Sequence, residues 1–300
     1  MTFAFLDCDV ARTVANVVVD GSANEATVLT LSHWPGATAP PGLARDLSAE
    51  MAFAYLDSPC DHAPAAVVTN NHFDQDGLVS VFALTEPDLA LTHRELLIDV
   101  AAAGDFGTFQ DRRAARASMV IAHWCNLGWG YSEALGMLVA LATEPDRYRE
   151  VWEREDANLS ASEAALARGS IVITDHPDID LAIVDIAGDE PLIGGHRFAH
   201  QTFEGMHPMA LHNATSRFRI LVVAQNRYRF VDRYETWVQF QSRATLPRRN
   251  MEKLATAFNQ LDAAHWTAEN PNDLAPMMTH TGESQLDRNT VVEAVTAFLQ

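Results

Sequence analysis

Through residue 168, short apolar runs alternate with segments of helical period; from Ser170 onward, strand-like runs take over. Asn16-Val17-Val18-Val19 and residues 26–31 read as two strands around the turn Asp20-Gly21-Ser22. Pro35-Gly36 and Pro40-Pro41-Gly42 mark a loop. Asp46 reads as the N-cap of a helix through Leu56, with Leu47, Met51, Ala54 and Tyr55 as its apolar stripe. Ala65-Ala66-Val67-Val68 predicts a short buried strand, residues 69–77 a loop, and residues 78–84 the start of a helix. Parallel α/β sheets place their ligand sites in such strand–loop–helix units. Helical patterns follow over 89–103, ending at Gly104-Asp105-Phe106-Gly107, then over 112–142 and 144–168. Beyond them, 171–173, 181–186, 218–224 and 236–241 predict strands, and 251–261 a helix. The pattern predicts an α/β chain of two domains. A parallel-sheet N-terminal domain with helices on both faces occupies 1–168, and a smaller α+β domain occupies 169–300, with the boundary near Gly169.

Composition narrows the function classes. Apolar residues make up 48% of the 300, enough for a core in each domain. No apolar run approaches the length of a membrane span. Met1 to Val10 carries Asp7 and Asp9 without a basic flank, which predicts a soluble, cytoplasmic protein rather than a secreted one. Cys8, Cys60 and Cys125 are too scattered for a disulfide framework or a zinc ribbon. The formal charge of −19 opposes duplex DNA and anionic membranes, but leaves room for a small phosphorylated substrate met through divalent cations.

The chemistry concentrates in His72-Phe73-Asp74-Gln75-Asp76-Gly77. On an extended backbone, His72, Asp74 and Asp76 point the same way, so one imidazole and two carboxylates converge. That donor mix suits Mn²⁺ or Mg²⁺ better than a thiolate zinc site. Gly77 permits a sharp turn into the helix, and Asn70 and Asn71 can brace the ligands. The alternative is a polar turn in which Asp74 or Asp76 merely caps the helix, which accounts for one acid but not for the set.

Strand, His-x-Asp-x-Asp-Gly, then helix resembles the first motif of the DHH phosphoesterases, which include RecJ-type nucleases, oligoribonucleases and exopolyphosphatases. Asp99 to Asp105, followed by Arg112-Arg113, resembles their fourth motif, which makes Asp105 a ligand. Val17-Val18-Val19-Asp20-Gly21 resembles the second motif, and Leu29-Thr30-Leu31-Ser32-His33-Trp34-Pro35-Gly36 the third. Residues 46–50 resemble the opening of the helix that follows. The order implies a circularly permuted domain. Ser32 and Trp34 depart from the pattern, replacing the aspartate and the second histidine, and only His33 matches. Asp20 and His33 are also close in sequence for residues on two separate parallel strands. The resemblance implies two ions, Mn²⁺ or Mg²⁺. His72 and Asp74 would hold one, Asp76, His33 and Asp105 the other, with Asp20 as bridge and His33 and Asp76 catalytic. An unrelated hydrolase reusing a similar loop would instead leave His33 and Asp20 far from His72.

In the second half, Gln241-Ser242-Arg243 and the helix after it resemble the family's substrate-binding domain, which implies substrate roles for Arg243 and His265. Arg227, Arg229, Arg233, Arg243, Arg248 and Arg249 form a dense basic region, where Arg233 could meet a phosphate. The competing expectation is a solvated strand face paired with Asp232 and Glu235. Trp237 and Trp266 could stack on a base or simply pack, and His196, His200, His207 and His212 form a further histidine cluster. The implied substrate is a small phosphorylated compound or a short oligonucleotide.

Overall fold

The structure is a computed structural model that describes residues 2–58, 63–188 and 206–300. The chain divides into two compact units, Met1–Arg154 with Val238–Ala244, and Glu155–Trp237 with Thr245–Gln300.

In the first unit, strands β1 (Ala4–Phe5), β2 (Asn16–Val19), β3 (Thr27–Leu31) and β4 (Val67–Thr69) form a sheet of order β1-β4-β2-β3. Every pairing is parallel, so the carboxyl ends of β2, β3 and β4 open onto one edge. β2 is buried at all four positions, as a central parallel strand requires. Residues 20–26 carry the chain from β2 to its parallel neighbour without a helix. The link suffices because a four-residue strand spans only about 13 Å, and seven extended residues reach about 23 Å. Around the sheet lie α1 (Cys8–Ala11), α2 (Ser48–Asp57), α3 (Gln75–Thr85), α4 (Pro87–Thr92), α5 (Arg94–Asp105), α6 (Arg112–Asn126), α7 (Tyr131–Ala134) and α8 (Leu138–Thr143). α3 is buried from Gln75 to Leu84 and packs between α2 and α5.

Helix α9 (Arg149–Arg168) runs across the division between the units. The sequence pattern puts the boundary at Gly169, but that glycine, at φ +79°, terminates the helix. The change of texture there marks the end of an element.

The second unit holds β5 (Ile171–His176), β6 (Leu181–Ile186), α10 (Pro208–Ala214), β7 (Arg219–Ala224), β8 (Arg227–Asp232), α11 (Glu252–Leu261), β9 (His265–Ala268), β10 (Met277–Thr281) and α12 (Arg288–Leu299). Its sheet, β5-β6-β7-β8-β10-β9, is antiparallel except for β6–β7. One core packs Leu221, Phe230 and Trp266 against Phe258 of α11 and Val291 and Val295 of α12. Residues 236–241, expected as a strand, form none. A 3-10 turn covers Tyr234–Thr236, and the chain then joins the first unit over Val238–Ala244.

Candidate metal centre

Six side chains from separate stretches of the first unit meet at the carboxyl edge of its parallel sheet. They form two groups that share Asp20: Asp20, His33, Asp76 and Asp105, and Asp20, His72 and Asp74. Within each group the potential ligand atoms all lie within 4.8 Å of one another.

Asp20 follows β2 with φ +44°, a left-handed backbone that aspartate tolerates better than most side chains. Its carboxylate is 1% exposed; Oδ1 accepts from the Ser48 hydroxyl at 3.1 Å. Oδ2 has no well-formed hydrogen bond and faces His72 Nε2 at 3.2 Å. His33, just past β3, is fully buried, and its Nδ1 lies 2.6 Å from the Asp46 carbonyl. A carbonyl only accepts, so Nδ1 carries a proton there, and the ring turns its Nε2 inward. That Nε2 stands 3.4 Å from Asp105 Oδ2, 3.6 Å from Asp20 Oδ1 and 3.9 Å from Asp76 Oδ2.

His72, Asp74 and Asp76 converge by a different geometry from the extended alternation expected. Helix α3 begins at Gln75, and Asp74 is its N-cap, with Oδ1 accepting from the Gly77 N–H at 2.9 Å. Its other oxygen, Oδ2, lies 3.0 Å from His72 Nε2, so one carboxylate both caps the helix and faces the cluster. Asp76 sits in the first turn, where the N-terminus of α2 holds it: Ser48 N–H donates to Oδ2 at 2.8 Å and Ala49 N–H to Oδ1 at 2.7 Å. Leu47, not Asp46, is the N-cap of α2. Asp105 closes α5, and the neighbouring Gly104 lets α5 approach α3: a Cβ there would stand 2.5 Å from that of Gln75. Gly77 likewise leaves room for Asn70 and the Tyr131 hydroxyl, which a Cβ would meet at 2.4 and 2.6 Å.

The electrostatics favour a cation. Burial, then the charges of Asp74 and Asp76, push Asp20 up to about 6. Burial followed by Asp74 pushes Asp76 up to about 7, although the Ala49 and Ser48 N–H groups pull it down. For His72, burial pushes down, but Asp20 and Asp74 together raise it to about 11. Without metal, a protonated His72 therefore stands in as the cation between these two carboxylates. The same donors could hold a divalent ion, which would keep the carboxylates ionised and displace that proton.

Other expected site residues fall elsewhere. Arg233 is buried, ion-paired with Glu235 and within 5.7 Å of the Phe218 ring centre, so it braces the second unit rather than offering an open phosphate contact. Arg248 donates to the carbonyls of Pro271, Asp273 and Leu274, also a bracing role. His265 is exposed on β9 of the second unit, and Arg243 is half-buried on Val238–Ala244 of the first. Trp266 is buried, with its indole N–H on Asp262. His207 caps α10 and faces Glu155 at 3.4 Å; Cys60, His196 and His200 lie outside the described residues.

Sequence reasoning missed three supports. The N–H groups of Ser48 and Ala49 leave no trace in side-chain identity. Tyr131, whose hydroxyl donates to the His72 carbonyl at 2.9 Å, sits within a helical pattern. Val238–Ala244 is distant in sequence from the loop it secures.

The fold and the site define a two-unit α/β protein with an acid–imidazole cluster at the carboxyl edge of a parallel sheet. The chain belongs to DUF6687, a family of unknown function, whose model matches residues 1–127 and 129–296. No curated protein and no solved structure matches it. Among the described residues, no helix is long and apolar enough to cross a membrane.

Proposed function

We propose that this chain is a divalent-cation-dependent phosphoesterase that hydrolyses a phosphodiester or phosphoanhydride bond in a small phosphorylated compound or a short oligonucleotide. The observation that carries this reading is the convergence of His33, His72, Asp74, Asp76 and Asp105 around a shared, buried Asp20. Likeness to permuted DHH motifs marks the same six positions. Two ions, Mn²⁺ or Mg²⁺, would supply Lewis acidity and a water ionised near neutral pH. Asp20 bridges the two groups, His33 and Asp76 belong to the buried one, and His72 with Asp74 forms the more exposed one. The acidic surface favours small substrates over duplex DNA or a membrane. A reducing cytoplasm agrees with the free thiols Cys8 and Cys125.

Purified protein with Mn²⁺ should turn over bis-p-nitrophenyl phosphate, short oligonucleotides or pyrophosphate, and Asp76→Asn should abolish the turnover. Failure with all three substrates, despite bound metal, would overturn the hydrolytic reading. A second reading, a nucleotide- or metal-binding protein without turnover, rests on Trp34. Its ring lies 5.1 Å from that of His72, where the DHH pattern has a histidine, and indole cannot exchange a proton with phosphate. Tight Mn²⁺ binding without hydrolysis would favour it.

A further inference from the structure

We infer that Val238–Ala244 is a strap that positions the buried cation group, so that this group, and not the one built on His72 and Asp74, depends on it. The inference rests on the two-cation reading above.

The strap's described hydrogen bonds to the rest of the first unit fall on His33, the loop after it and Asp46. Gln239 N–H donates to the His33 carbonyl at 2.7 Å, and the Gln239 side chain donates to the carbonyls of Trp34 and Ala37 at 2.7 and 2.8 Å. Gln241 and Ser242 N–H groups both donate to Asp46 Oδ1, at 2.5 and 2.9 Å. Asp46 is the residue whose carbonyl takes His33 Nδ1. The Phe240 ring meets Phe106 edge-on at 5.5 Å, and Phe106 directly follows Asp105 and lies 6.2 Å from the His33 ring. The strap thus fixes the His33 backbone, the residue that orients the His33 ring, and the aromatic neighbour of Asp105. His72 is held by Asn70 and Tyr131. The ring of Trp34, the residue whose carbonyl takes the Gln239 side chain, lies 5.1 Å from the His72 ring, so it is the Asp46 and Phe106 contacts of the strap that fall on the buried group alone. Groups that orient a metal ligand through hydrogen bonds typically carry about 10–100-fold in metal affinity.

Isothermal titration with Mn²⁺, in backgrounds that leave one group intact, tests the inference. In a His72→Ala background the remaining site is the His33 group, and adding Asp46→Ala should weaken it by about 10–100-fold. In an Asp105→Asn background, where the His72 group remains, the same substitution should change affinity by less than about twofold. Phe240→Ala, which removes the contact with Phe106, should repeat this asymmetry, and Asp46→Asn, which keeps one acceptor oxygen, should restore most of the affinity. Circular dichroism of each metal-free variant separates loss of metal from loss of fold, and Phe240→Ala serves if Asp46→Ala does not fold. Equal weakening in both backgrounds, or none in either, overturns the strap while leaving the two-cation reading standing. Full-length protein that takes up no Mn²⁺ overturns both.

Discussion

The two units treat buried charge in opposite ways. In the second, Glu235 pairs with Arg233, and Asp232 lies 3.7 Å from Arg219. In the first, Asp20 and Asp76 are at least as buried, and their described ion-pairing partners are His33 and His72. A buried charge without a fixed counter-ion is costly. The second unit therefore meets its buried acids with guanidinium groups, whereas the first gathers acids and imidazoles in a set that could hold a metal ion.

The largest effect expected from breaking this contrast is structural. Arg233→Ala should lower stability by about 3–5 kcal/mol, because Glu235 remains buried without its partner. Arg233→Met with Glu235→Leu should recover most of the loss in denaturant titrations. A wild-type midpoint for Arg233→Ala would remove the contrast.

The matching change in the first unit should act on the cation rather than on the fold. Asparagine accepts the left-handed backbone at Asp20 and removes a charge. Asp20→Asn should weaken Mn²⁺ binding by at least about 100-fold, since a direct ligand matters more than its outer supports. Undiminished Mn²⁺ affinity would contradict the view of Asp20 as the shared ligand.

Acidity sharpens the comparison further. Carboxyls raised to about 6 and 7 bind protons in the folded state that the unfolded chain has released, so their contribution to stability falls as pH rises from about 4 to 7. The stabilisation from His72, raised to about 11, is complete below its unfolded value near 6.5 and fades toward 11, a change of the same sign. Melting curves without metal should therefore decline from about pH 4 upward, and saturating Mg²⁺ should flatten the decline. Asp232, pushed up to about 6 by burial, titrates in both series and cancels in the difference. Parallel curves with and without the ion would count against the cluster as a cation site.

The smallest effect separates the two roles of Asp74. Metal-free Asp74→Ala should lose about 1 kcal/mol with the helix cap, while Asp74→Asn should keep the cap and still weaken Mn²⁺ binding. Equal metal-free stability of the two would show that capping contributes little.

What the sequence makes legible follows from physical range. β2 and β4 are visible as short apolar runs of the kind buried parallel strands carry, the edge strand β3 by its β-branched residues, and all six clustered acids and histidines sit at or near element ends that local patterns mark. The convergence of Asp74 and Asp76 is expected from sequence on the wrong backbone, since a helix cap and an extended turn share one sequence signature. Asp20 and His33 look too close in sequence for two parallel strands because crossovers usually contain a helix. Residues 236–241 alternate like a strand, but whether they pair with a sheet or lie along another segment depends on tertiary packing that no short window contains. Arg233 illustrates the same limit: a cation's burial is not written in its neighbours.

The strap also places assembly in time. Gln239 follows Trp34 by 205 residues. A ribosome adding about 5–20 residues per second delivers it roughly 10–40 s after the loop it secures. Once Asp105 has been made, His33 and its carboxylate neighbours would stand for the rest of that interval as a nascent pocket without this brace, and on the two-cation reading metal capture at full strength would await residues 238–244.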